Sequence, residues 1–203
     1  MKYHYLLIVG VLSLLFSCNF DDPQNVKVRS EEHEVLLHEQ MLQLNEQILV
    51  SLKNKEWNTF SNFIHPDKGV YFSPYAFLEP FKAVHLTRTE FLKGIEENQE
   101  FVWGEYDGIG EEITLSIPAY TDKFLYNVDF SNKAKVFVNE FRGGGNSLNN
   151  LKQVFPDHLF VENYFPGDNP EHGGMDWQVL RVVIETKEGK HYVIALINDR
   201  WTI

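Results

Sequence analysis

Eleven uncharged residues, Leu6 to Phe16, open the hydrophobic pattern of the chain, behind a single positive charge at Lys2. Wound as a helix, such a run spans roughly 16 Å, about half the ~30 Å hydrocarbon core of a bilayer. It fits the apolar region of an export signal and is too short to cross a membrane. Further on, Leu37, Met41, Leu44, Ile48 and Leu52 recur at spacings of four, three, four and four. They make one apolar stripe, widened by Val35, Leu36, Leu42 and Leu49. Ser30 can cap this segment, with Glu31, Glu32 and Glu34 near its positive end, so the pattern predicts a helix from Glu31 to about Lys53. Trp57, Phe60, Phe63 and Ile64 predict a second, shorter helix that stops before His65-Pro66.

The period then changes. Strands are predicted over Val70–Ser73, Phe81–Leu86, Glu112–Ile117, Lys135–Asn139 and Leu159–Tyr164. Thr87-Arg88-Thr89-Glu90 has the form of a capping box and opens a helix through about Glu97. Pro118 starts a short helix through Phe124. Trp177–Lys187 and His191–Asn198 flank the turn pair Glu188-Gly189, which predicts a hairpin. Its apolar runs are nearly continuous, so these strands should be covered on both faces. Helices first and strands last give an α+β fold, with N-terminal helices packed on a curved antiparallel sheet. That arrangement looks like the NTF2-like cone; a cystatin-like or irregular α+β roll is the alternative.

The chain has 203 residues, enough for one domain, and a net charge of −11. Such a charge suits neither nucleic acid nor anionic lipid headgroups, both of which call for Lys and Arg. Sixteen Phe, nine Tyr and four Trp supply either a large aromatic core or a cleft that stacks rings, for example on sugars.

Cys18 is the only cysteine, and it stands where the apolar run ends, in Leu15-Phe16-Ser17-Cys18. This resembles the lipobox of bacterial lipoproteins, which implies cleavage before Cys18 and acylation of its thiol. Residues 1–17 are then a signal peptide, 18–29 a lipidated cysteine with a polar tether, and 30–203 a single α+β domain. Two or more acyl chains anchor stably where one does not. Asp21-Asp22 follow closely. They resemble the acidic signal for surface display in Bacteroidetes lipoproteins, or they are an ordinary solvated tether. The expected place is the cell envelope, with the membrane as a partner through the lipid on Cys18.

Four blocks carry a wider resemblance: His65-Pro66-Asp67-Lys68-Gly69-Val70-Tyr71-Phe72-Ser73-Pro74-Tyr75, Trp103-Gly104-Glu105-Tyr106-Asp107-Gly108, Gly174-Met175-Asp176-Trp177 and Asn198-Asp199-Arg200-Trp201-Thr202-Ile203. The chain is similar in them to a group of uncharacterised bacterial lipoproteins. The resemblance implies export and anchoring and brings no catalytic residues.

Read chemically, His65 at a proline turn is either a general base or a turn-holding histidine. Asp107 is either a turn residue or a carboxylate at a sheet end. Asp176 either caps the Gly173-Gly174 turn or faces a cavity with Trp103 and Trp177. Arg181, inside an apolar strand, needs a carboxylate such as Glu162 or Asp129, or else it binds an anion. His158, His172 and His191 lack a metal-ligand spacing, Asp168-Asn169-Pro170-Glu171 lacks the EF-hand pattern, and no GxSxG elbow is present. No metal or cofactor is expected. The leading functional expectation is a non-enzymatic module that binds a small ligand, a glycan or an envelope protein through Trp103, Trp177 and Arg181. The alternative is a hydrolase or isomerase using His65 with Asp107 or Asp176.

Overall fold

The structure, a computed structural model, describes residues 23–145 and 147–202. Cys18 and the apolar run before it lie outside the described residues. Among the described residues two compact units are present, divided between Val35 and Leu36. Helix α1 spans Pro23–Lys53 and so begins well ahead of Ser30. Proline suits the first turn of a helix, where its missing N–H has no intrahelical partner anyway. Residues 23–29, expected as tether, are helical. Val35 and Leu36, expected to widen the apolar stripe, are 59% and 52% exposed.

In the second unit, Met41, Leu44, Ile48, Leu49 and Leu52 are buried as the stripe requires. Helix α2, Trp57–Phe63, follows, and His65-Pro66 leads into β1, Val70–Ser73, and β2, Val84–Leu86. Helix α3, Arg88–Glu96, carries the capping box: Thr87 accepts from the Glu90 amide while the Glu90 carboxylate accepts from that of Thr87. Next come β3, Glu100–Glu105, and β4, Glu112–Ser116, a separate two-stranded ribbon. A short helix α4, Ile117–Tyr120, passes into a π-helical turn, Thr121–Leu125. Helix α5, Phe130–Lys133, β5, Lys135–Val138, helix α6, Leu151–Val154, and β6, Leu159–Phe165, precede the long hairpin of β7, Gln178–Lys187, and β8, Lys190–Arg200.

Six strands form one curved sheet in the order β2-β1-β8-β7-β6-β5. All neighbours are antiparallel except β1 and β8, which run parallel, with Phe72 beside Leu196. The expected curved sheet is present and mostly antiparallel, with one parallel pair: the last strand, β8, returns beside β1 after a crossover through most of the domain.

Alternation along β7 divides the core. Leu180, Val182 and Ile184 pack with α1, α2, α3, β3 and β4 on one face. Val183, with Phe160, Ala195 and Ile197, packs on the other face beneath Leu151 and Phe155. Both faces of the hairpin are therefore covered. Among the described residues no helix is long and apolar enough to cross a membrane.

Candidate functional site

Two of the four sequence blocks meet at one cleft. Beyond β1 the chain turns sharply at Pro74, and the Ser73 hydroxyl donates to the Tyr75 carbonyl at 2.7 Å. The loop is pinned again at Leu78, whose amide donates to Asn150 Oδ1 (2.9 Å) and whose carbonyl accepts from Asn150 Nδ2 (2.8 Å). Ala76 and Leu78 are buried beneath it. Against this loop lies β3, and together they enclose about 280 Å³. Phe72 and Trp103 form the floor, Tyr75 and Phe77 the wall, and Glu79, Lys82 and Glu105 the mouth.

The floor is rigid. Trp103 lies flat on Tyr120, with ring centroids 3.8 Å apart and an interplanar angle of 12°, and meets Phe72 edge-on at 5.4 Å. Its indole N–H donates to the Leu115 carbonyl at 2.8 Å. Trp103 is 1% exposed, so it is part of the core and offers the cleft little of its ring. The Tyr120 hydroxyl is buried without a hydrogen-bond partner, and burial pushes its pKa well above the tyrosine range. The accessible ring is Phe77, 48% exposed. At the mouth the Lys82 ammonium pairs with Glu79 at 2.7 Å, while Glu105 forms no ion pair among the described residues.

Asp107 is an exposed turn residue outside the cleft. Its amide donates to the Tyr75 hydroxyl (3.1 Å), and its carboxylate accepts from the Gly108 amide. The turn therefore ties the β3–β4 ribbon to the cleft wall.

His65 is buried at the α2–β1 junction. Its Nδ1 accepts from the amides of Asp67 (3.2 Å) and Lys68 (3.0 Å). Nδ1 therefore carries no proton, and the neutral ring holds its proton on Nε2, 3.9 Å from Glu185 Oε1. Burial lowers the His65 pKa. The lone pair that a general base would use is already spent on the turn. Glu185 is shared by Lys68, at 2.7 and 2.8 Å, and by His158 Nε2 at 3.2 Å. Burial pushes the Glu185 carboxyl up, but these partners hold it below its ordinary value.

Asp176 does not cap Gly173-Gly174. Its Oδ2 accepts from the amides of Asp168 (3.0 Å) and Asn169 (3.1 Å), and these bonds, that from Asn169 foremost, lower its pKa. Gly167, at φ +86°, lets the carboxylate reach them, since a Cβ there would collide with it. No hydrogen bond or ion pair joins His65, Asp107 and Asp176 among the described residues.

Arg181 faces away from the Trp103 side of the sheet. Its Nε donates to Glu162 Oε2 (2.8 Å), one terminal nitrogen to Asp199 Oδ2 (3.0 Å) and the other to the Gly143 carbonyl (3.2 Å). Glu162 is the partner expected; Asp129 bonds instead to Lys53, Tyr126 and Asn132. Glu162 Oε1 accepts from the amides of Arg142 and Gly143. Each guanidinium nitrogen of Arg181 is matched from within, so it presents no free fork to an anion. The Gly143-Gly144-Gly145 loop is laid on the sheet here: a Cβ at Gly143 would collide with Val179 and Tyr164. Trp177 packs under Gly145 in the same covering segment. Of the six candidates from Trp103 to His65, then, only Trp103 borders the cleft. Sequence reading missed Phe77, Glu79, Lys82 and Glu105, and Asn150 that pins the loop at Leu78; the Phe-Ser-Pro-Tyr turn beside an aromatic strand was the available signal. Among the described residues no group of His, Cys, Asp and Glu could hold a metal ion. No protein-family model, curated protein or solved structure matches the chain.

Proposed function

We propose that this is a lipid-anchored protein of the bacterial cell envelope whose domain holds a small ligand, without chemistry, in the cleft between β3 and the loop after β1. One observation carries the binding reading: two aromatic segments some thirty residues apart close on one recess that is already formed and held at both ends. A recess whose walls are fixed beforehand loses little entropy on binding. Two carboxylates against one ammonium at the mouth suit a neutral or cationic ligand with an apolar ring. The anchor rests on Cys18 at the end of the export signal. A long helix over a curved sheet that closes in a paired hairpin supports placing the fold in the NTF2-like class, with a filled aromatic interior in place of an open cone.

Phe77→Ala tests the binding site, because Phe77 is exposed enough to be removed without emptying the core. In a screen of ring-bearing neutral and cationic solutes, binders should shift backbone amide resonances of residues 73–79 and 103–105. Phe77→Ala should weaken them about tenfold or more while leaving the melting temperature within a few degrees. Absence of any binder, or binding that Phe77→Ala leaves unchanged, overturns the proposal.

A further inference from the structure

A second recess shares no lining residue with the cleft, and its chemistry is the reverse. It is an open groove of about 510 Å³ between α1, the end of α2, the start of α3 and the start of β8. Gln40, Gln43 and Gln47 stand along one face of α1 as its wall. Arg88 and Lys190 supply two positive charges, and no Asp or Glu lines it among the described residues. In a chain of net charge −11, a lining with two cations and no acid among the described residues stands apart.

Among the described residues neither cation is paired with a carboxylate. Arg88 spends one nitrogen on the carbonyls of Asn62 and Ile64, both at 3.0 Å, and its buried Nε has no partner. Lys190 forms no ion pair among the described residues. The amides are also available. Gln40 is oriented by His191, whose Nε2 lies 3.1 Å from Gln40 Oε1 and whose Nδ1 lies 2.8 Å from the Thr186 hydroxyl. Burial lowers the His191 pKa, so the neutral ring fills both bonds. Gln43 and Gln47 are exposed, and their side chains make no hydrogen bond among the described residues. Half-buried Phe63 and Tyr192 complete the lining.

We infer that this groove binds an acidic saccharide, a chain of sugars bearing carboxylates. Flat amides at the spacing of helix turns match paired hydroxyls, two ring edges match the apolar faces of sugars, and Arg88 with Lys190 match the carboxylate. An acidic peptide would want apolar pockets for its side chains, and the groove offers only buried Leu44 beyond the two rings. The site is separate from the aromatic cleft and stands or falls independently of it.

The test uses trigalacturonate and trimannuronate as probes, titrated calorimetrically into the full chain, with the methyl ester of trigalacturonate and hexaglutamate as controls. At least one acidic trisaccharide should bind, more weakly as salt is raised. Lys190→Gln should weaken it about threefold to tenfold, and Gln43→Ala with Gln47→Ala about tenfold, each with unchanged melting temperature. The ester and hexaglutamate should not bind measurably. Failure of both trisaccharides at millimolar concentration, indifference to these substitutions, or equal binding of hexaglutamate overturns the assignment.

Discussion

Arg181 on β7 and Glu162 on β6 stand directly opposite one another in the sheet, with guanidinium Nε 2.8 Å from carboxylate Oε2, and both are at most 1% exposed. Asp199, two residues beyond the Ile197 partner of Arg181 on β8, closes the set. Glu162 also takes two amides of the covering loop, so one carboxylate joins three segments. Glu162→Gln would turn an amide N–H toward the Arg181 donor or lose the loop amides. A broken buried pair costs about 3–5 kcal/mol. Urea denaturation should show a loss of that size, and a loss under about 1 kcal/mol, typical of an exposed pair, would contradict the account.

Asp199 carries the pH dependence of this cluster. Burial raises its pKa, outweighing Arg181, which together with Ser147 lowers it. Its folded value therefore lies above the ordinary ~3.9, and the native state binds the proton more readily than the unfolded chain. That contribution to stability is whole below ~3.9 and is lost as pH rises through the folded value. Compared with Asp199→Asn, the natural protein should gain stability on acidification toward pH ~4, where the buried charge is discharged. Denaturation of both forms across pH 4 to 7 reads the difference directly, and parallel curves would refute it.

How far these features were legible depended on what each residue type can encode alone. The capping box at Thr87 and Glu90 and the turn at Glu188-Gly189 were legible because local backbone chemistry fixes them. The buried stripe of α1 was legible too, but not Asn45 on it, whose amide pairs reciprocally with that of Asn163 at 2.8 Å. Its partner lies 118 positions away, and a polar residue on an apolar face declares itself only when that partner is known. β3 went unread because Glu100, Gly104 and Glu105 dilute its pattern, although Trp103 in its middle is core. The parallel placement of β1 is likewise a fact of topology that no local period records. Without β3 there was no cleft to find, and Trp103, Trp177 and Arg181 seemed free to share a cavity from opposite faces of one sheet.

His65 should give the opposite pH response from Asp199. Burial depresses its pKa, against the opposing pull of Glu185. The native state therefore binds the proton less readily than the unfolded chain, whose value is about 6.5. Stability from this group is whole above ~6.5 and is lost as pH falls through the folded value. The structural cost is visible: a second ring proton must enter at Nδ1 and expel the amides of Asp67 and Lys68. His65→Asn keeps a short-range acceptor for the turn and has nothing to titrate. The natural protein should lose stability relative to His65→Asn between pH 7.5 and 5, and identical slopes over that range would refute the assignment.

The proposed anchor makes the most direct demand. Cys18 is the only thiol in the chain, so acylation there has no alternative acceptor sulfur. A single acyl chain would exchange on and off the bilayer, whereas two or three hold the protein there irrespective of its negative charge. Cells given labelled palmitate should incorporate it into the natural protein and not into Cys18→Ser. The substituted form should also leave the envelope fraction; a form that stays with envelopes and keeps its first seventeen residues would contradict the anchor. Neither aromatic cleft nor groove should be affected, because both lie between Gln40 and Tyr192. Equal label in both forms would show that the apolar run before Cys18 serves some purpose other than delivering the protein to lipid.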